Sequence, residues 1–197
     1  MIESQTPGNT PLDPDEALGL IPLHVTNQAE LNQAEQANIL EALSWATSRR
    51  HADLLTDAFV RKLHQKMFGD VWKWAGTYRK TLKNIGVPPE QVAVEVRKFC
   101  DDARYQVGSA GLDWDDFGVR FHHRLVWIHP FPNGNGRHAR LMTDLVLQAH
   151  GQEPFSWGAK SPDGVIGAFG RTRERYLSAL RSADAGDWSP LKVFVRS

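Results

Sequence analysis

The sequence predicts a mostly α-helical single domain with one β-hairpin. Apolar residues recur at steps of three or four, most clearly at Trp114, Phe117, Phe121, Leu125 and Ile128. Proline and glycine punctuate the chain between such stretches. At 197 residues, 41% of them hydrophobic and 23% charged, the chain has the size of one domain and material for a core.

The elements follow in order. Residues 1–25 carry Pro7, Pro11, Pro14 and Pro22 and little periodicity, which reads as an extended or loosely packed arm ahead of a domain over 26–197, its core about 55–183. A helix begins near Asn27, which forms a capping-box pattern with Glu30, and Leu31, Ala34, Asn38, Leu40 and Leu43 give it an imperfect stripe. Thr56 caps a second helix to Phe68, with Phe59, Val60, Leu63 and Met67 on one face. The run from Lys80 to Pro89, with Asn84, Gly86 and two prolines, reads as a hairpin-like loop. Residues 90–107 are helical again through Val92, Val96, Phe99 and Ala103. Asp113 caps the clearest helix, which Pro130 and Pro132 stop. Gly134 to Gly136 turn the chain into a helix reaching Ala149, and a last helix spans about Val165–Arg181. The tail from Trp188 to Val195 packs or frays.

Composition excludes several classes. Lysine and arginine total 23, aspartate and glutamate 23, so no net basic field favours nucleic acid. Cys100 is the only cysteine, which excludes an internal disulfide and a cysteine-based zinc site and suits a reducing cytoplasm. The first residues lack a basic and apolar leader, and no apolar run nears the ~20 residues of a membrane span. A cytoplasmic location is therefore expected, with neither membrane nor direct nucleic-acid contact.

The chemistry concentrates in His129–Arg140. A helix ends at His129, a turn with two glycines follows, and a second helix starts on the turn. Free N–H groups and the positive dipole end meet there, and glycine lets a ligand approach the backbone. This is an anion site suited to phosphate. Arg137 and Arg140 are three apart, hence on one face, and can grip phosphate oxygens in bidentate fashion. His129 can take a proton from an attacking hydroxyl. Alone it would read as a histidine satisfied at a helix C-terminus. Beside the glycine turn and two arginines it reads as the base of a phosphoryl or nucleotidyl transfer. A loose dinucleotide pattern at Gly134–Ala139 lacks its strand, and no P-loop is present. Adjacent His122 and His123 point to different sides of a helix, one packed and one partly exposed, and lack the i, i+4 spacing of a metal pair. Arg171–Arg175 reads as a solvated helix face.

At these residues the chain resembles the Fic family, whose motif is H-x-F-x-(D/E)-G-N-G-R-x-x-R. His129, Phe131, Gly134, Asn135, Gly136, Arg137 and Arg140 match it. Phe121–Ile128 looks like the preceding helix of the family, and Trp74–Arg79 like the approach to its flap. This mix of segments is similar to a bacterial subgroup called mobile mystery protein B. The resemblance implies a Fic-type helical domain with a central helix–loop–helix active site and one β-hairpin flap. It implies adenylyl transfer from ATP to a Ser, Thr or Tyr hydroxyl of a target protein. His129 would be the base, and Gly134 to Gly136, Asn135, Arg137 and Arg140 the phosphate site. Phe131 would anchor the loop, and Lys80–Gln91 would be the flap that pairs with the target strand to strand. An antitoxin-like partner belongs to the same expectation. The family usually places Asp or Glu, a magnesium ligand, where this chain has Asn133; an amide oxygen can ligate a hard cation without its charge. Other donors, another nucleotide or phosphocholine, stay open for that reason, as do AMP removal and a regulatory nucleotide-binding module. Gly136 and Arg137 argue against the kinase-like branch. Many members restrain themselves through a helix with (S/T)-x-x-x-E-(G/N). Thr26 to Leu31 matches all but the last position, so Glu30 is either an inhibitory partner for Arg140 or simply part of the capping box.

Overall fold

The computed structural model describes residues 10–48, 53–164, 166 and 170–197. Among them the chain forms α1 (Pro14–Ala17), α2 (Gln28–Thr47), α3 (Asp57–Phe68), α4 (Val92–Val107), α5 (Trp114–Ile128), α6 (Asn135–Ala149), α7 (Arg171–Asp184) and α8 (Ser189–Arg196). Side-chain caps start the longer ones: Asn27 accepts from Glu30 N–H, Thr56 from Phe59 N–H, and Asp113 from Asp115 and Asp116 N–H. Helix α7 begins at Arg171; Val165, where the sequence reading started it, lies outside the described residues. The tail forms α8 and packs through Leu191, Phe194 and Val195.

The antiparallel pair α5–α6 is the spine. On one side it meets α2, α3 and α4, on the other α7 and α8. Two apolar clusters result. The larger includes Leu63, Met67, Phe68, Val96, Phe121, Leu125, Phe131 and Met142; the smaller joins Val119 and Leu147 to Trp157, Tyr176 and Phe194. The loop between α5 and α6 enters the larger cluster through Phe131.

Three expectations need correction. The α2 stripe is not the one periodicity suggested: Leu40 and Leu43 are exposed, and Leu31, Glu35, Asn38, Ala42 and Ala46 face inward. Polar Glu35 and Asn38 are buried because they have partners. Asn38 donates to Lys66 O and Asp70 and accepts from Asp70 N–H. The flap is not a hairpin. Among the described residues the one β pairing is a bridge between Leu20 and Trp72. Lys80–Gln91 is irregular and closes in a 3₁₀ turn, Pro89–Gln91. Two of its carbonyls, Thr81 and Val87, accept from the Arg79 guanidinium instead of a facing strand. Finally, the described part of the arm, residues 10–25, is neither extended throughout nor loose. It contains α1 and bonds along the domain, with Ile21 N–H to Val71 O and Lys73 N–H to Gly19 O at 2.9 Å each.

Candidate active site

Helix α5 ends at His129, which adopts φ 54° and ψ 60°. That left-handed conformation is unusual away from glycine and needs support from its surroundings. Arg79 supplies it. Its N–H bonds Pro130 O at 2.9 Å and its Nε bonds His129 O at 2.6 Å, while the rest of the guanidinium holds Thr81 O and Val87 O. Arg79 is 2% exposed, and burial lowers its pKa. Gly86 of the flap lies so close that a Cβ would meet His129 Cβ at 2.7 Å.

The imidazole itself is buried. Its Nδ1 faces Val126 O at 3.3 Å, and a carbonyl only accepts, so Nδ1 carries the proton. Nε2 keeps its lone pair, and Thr10 Oγ1 lies 2.8 Å from it. Burial first, then the cations Arg79 and Lys83, push the His129 pKa down to about 4, against the backbone bond to Val126. His129 is thus a neutral base at neutral pH.

The loop beyond is rigid by construction. Phe131 is fully buried, stacks on His64 with centroids 3.7 Å apart and meets His138 edge-on at 5.1 Å. His64 Nδ1 accepts from Gly76 N–H, so its Nε2 donates to Asn133 O, each at 3.0 Å. Gly134 takes φ 77°, and a Cβ there would stand 2.6 Å from the Phe68 ring. The Asn135 side chain does not project toward a ligand as expected. Its Oδ1 accepts from Phe131 N–H and its Nδ2 donates to Phe131 O, both at 2.9 Å. Asn135 closes the loop on Phe131.

Helix α6 starts on this loop, and the N–H groups of its first turn have no partner within the helix. A Cβ at Gly136 would only touch Tyr176 Oη and Arg140 Nη1, at 3.5 and 3.9 Å, so these three groups share one corner. The Arg140 guanidinium stands 5.4 Å from the Tyr176 ring, whose hydroxyl lies 2.9 Å from buried His122 Nε2. Burial lowers the Arg140 pKa, and the charge of Arg137 lowers it further. Arg173 of α7 is lowered by burial and by the charges of Arg140 and Arg137. It belongs to this corner, not to a solvated face. Arg140 and Arg173 thus bring positive charge to a helix N-terminus, where an anion would be stabilised, while Arg137 is paired with a carboxylate.

Glu30 is not at Arg140. Its carboxylate accepts from Thr26 N–H and hydroxyl at 2.7 and 3.0 Å, which lowers its pKa. The acid that reaches the site is Glu35, about 1.4 turns on, 5% exposed. It bonds Arg137 Nη1 at 2.7 Å and Trp72 Nε1 at 2.8 Å. Sequence reasoning missed it because α2 was read by its apolar pattern.

The expected magnesium position has one protein oxygen to offer, the Asn133 amide, and it is already engaged. The loop has no carboxylate, and Asn133 Oδ1 accepts from Gly134 N–H at 2.6 Å while its amide nitrogen donates to Thr10 O at 3.3 Å. Among the described residues no group of three His, Cys, Asp or Glu could hold a metal ion. No helix among them is long and apolar enough to cross a membrane.

A neutral imidazole thus stands before a helix N-terminus, carried on a buried helix–loop–helix. Residues 54–147, a little under half of the chain, match the Fic/DOC family. Among curated proteins, one relative is a protein adenylyltransferase Fic from Nematostella vectensis. It is 29% identical over 178 residues, 87% of this chain and 39% of the relative. The chain thus spans about two fifths of that relative's length. A second is a uridine 5'-monophosphate transferase from Xanthomonas campestris pv. campestris, 39% identical over 71 residues, 34% of this chain and 13% of that protein. Among solved structures, the BepC effector of Bartonella tribocorum with bound AMPPNP shares the fold. Its TM-score is 0.69 at 17% identity, covering 93% of this chain and 97% of that one.

Proposed function

We propose that this protein is a nucleotidyltransferase that moves AMP from ATP to a hydroxyl of a protein. The observation that carries the reading is His129: a neutral imidazole whose Nε2 already faces a hydroxyl at 2.8 Å, beside the Gly134–Arg140 helix N-terminus. In this reading the nucleotide's phosphates lie on the first-turn N–H groups of α6 and between Arg137, Arg140 and Arg173. His129 Nε2 takes the proton as the hydroxyl oxygen attacks the α-phosphorus, and pyrophosphate leaves with the bonding electrons. The naming of the Nematostella relative and the AMPPNP held by the BepC effector support a nucleotide donor. The finer likeness to mobile mystery protein B stays within this reading and rests on Trp74–Arg79 and Phe121–Ile128.

A protein target would enter over the flap. An open groove of about 530 Å³ runs there along Arg79, Lys80, Leu82, Pro88, Pro89 and Glu90. Strand-to-strand pairing is not needed; side chains of the irregular loop would do the holding. A second donor is favoured by one observation, the stretch shared with the uridine 5'-monophosphate transferase. The test is transfer of label from α-labelled ATP and, in parallel, UTP to proteins of a lysate. Label that depends on His129 is expected, with ATP preferred. Equal labelling by His129→Ala, with its fold intact by circular dichroism, would refute the assignment of the base.

A further inference from the structure

The arm ahead of α2 brings a hydroxyl to His129. Thr10 is buried, 9% exposed, and its Oγ1 is the group 2.8 Å from His129 Nε2. Since Nδ1 carries the imidazole proton, the Thr10 hydroxyl must donate to Nε2. That is the geometry a nucleophilic hydroxyl needs: its proton aimed at the base and a lone pair turned away from it. The backbone is fixed as well, because Asn133 Nδ2 donates to Thr10 O at 3.3 Å. Thr10 therefore sits directly on the turn that leads into the phosphate site.

The rest of the arm is held by the flap. Lys83, its side chain 2% exposed, reaches Asp13 at 2.8 Å, Glu16 at 2.5 Å and Pro11 O at 3.2 Å. Thr81 Oγ1 bonds Asp13 at 2.5 Å, and Trp74 Nε1 donates to Glu16 O at 3.0 Å. The Lys83 and Thr81 bonds lower the pKa of Asp13. Held on both sides of Pro11, Thr10 has little freedom. A hydroxyl ordered against a base behaves as if present at very high concentration, with effective molarities of roughly 10⁵ M or more for well-oriented pairs.

We infer that Thr10 is a self-acceptor: the arm occupies the acceptor position, and the chain transfers a nucleoside monophosphate to its own Thr10 in cis. The step rests on the transferase reading above. The Thr10 Oγ1–Pα bond forms, the bond from Pα to the β-phosphate oxygen breaks, and the Oγ1 proton passes to His129 Nε2. Pyrophosphate carries away the electron pair. The product is a phosphodiester of Thr10, bulky and charged, which no longer fits against Nε2. Modification thus expels the arm and opens the acceptor position to other proteins.

The test uses the full chain with α-labelled ATP and α-labelled UTP, followed by peptide sequencing of the labelled product. Each protein is run as wild type and in a Glu35→Gln background. One monophosphate at Thr10 is expected, formed at a rate constant independent of protein concentration. Thr10→Ser retains it, Thr10→Val loses it, and His129→Ala loses it. Lys83→Met, which frees the arm, slows labelling of Thr10 and leaves or raises labelling of lysate proteins. The inference is overturned if Thr10→Val takes up as much label as wild type, or if the wild-type rate rises with protein concentration. It is also overturned if lysate proteins are labelled through His129 while Thr10 is not, and in that case the transferase reading stands. Absence of label on any protein from either donor overturns the transferase reading itself.

Discussion

Replacing Glu35 by Gln tests how the phosphate site is restrained. Glu35 is 7% exposed at its side chain and Arg137 32%, with 2.7 Å between Oε2 and Nη1. At that exposure the gross attraction, a few kcal/mol at an effective dielectric of ~20, is largely offset by lost hydration, leaving about 1 kcal/mol net. Gln keeps the size and its amide oxygen still accepts from Trp72 Nε1, but its NH2 then faces Arg137, so the charge and the hydrogen bond to Nη1 are both lost. Nucleotide phosphate no longer competes with a carboxylate for Arg137. The expected gain is about 1 kcal/mol in nucleotide binding, roughly fivefold in Kd. The same change costs the apo protein about 1 kcal/mol, a fall of ~2–4 °C in Tm for a chain this size. Titration calorimetry with ATP, beside a thermal scan of the apo protein, reads both. A Kd that stays the same or weakens, with Tm lowered as stated, would show that Arg137 does not meet the phosphates.

Three further outcomes follow from the geometry. Arg79→Ala leaves the carbonyls of His129, Thr81 and Val87 without their donor; at ~1 kcal/mol or more each this costs at least about 3 kcal/mol, a Tm drop of roughly 6–12 °C by thermal scan, and Arg79→Lys recovers only part. A drop under ~2 °C would mean the clamp is dispensable. Acid should weaken the fold, because burial holds His129 and His138 at about 4 whereas an unfolded imidazole titrates near 6.5. Their contribution is present above ~6.5 and is lost as pH falls toward 4, roughly 2 kcal/mol each by pH 5, so denaturant midpoints that stay flat from about pH 7 to 5 would contradict it. Gly134→Ala meets the Phe68 ring at 2.6 Å with φ 77°, whereas Gly151→Ala has φ 73° and open space. Both cost ~1–2 kcal/mol of backbone strain, and only Gly134→Ala should abolish nucleotide binding in calorimetry.

Much of this site was legible because its chemistry is local. His129, the glycine turn and the two arginines lie within one short run, so spacing alone carried the geometry. The same reading failed where function depends on contacts distant in sequence. Glu35 meets Arg137 across 102 positions, Thr10 meets His129 across 119, and Arg79 reaches His129 across 50. A capping box at Asn27 gave Glu30 a visible local role and drew attention from Glu35, whose partners are in other helices. The α2 stripe misled for the same reason: buried Glu35 and Asn38 break an apolar pattern that exposed Leu40 and Leu43 imitate. The flap was read as a hairpin because prolines and glycine mark turns, but its carbonyls bond to a guanidinium that no turn rule anticipates.

These contacts divide the site into two halves built by different physics. The donor half is fixed by buried, fully bonded groups: His64 on Asn133 O, Asn135 on Phe131, and Arg79 on His129 O. Removing any of them leaves an unpaired polar group in the core, so this half has one arrangement. The acceptor half is held by Lys83 to Asp13 and Glu16 and by one threonine hydroxyl, polar contacts that water can take over once the arm leaves. Asp13 is 42% exposed at its side chain. An arm held in this way can leave and be replaced, whereas the loop beneath it cannot rearrange. A rigid donor site under an exchangeable acceptor is what a transferase needs if it is to modify itself first and another protein afterwards.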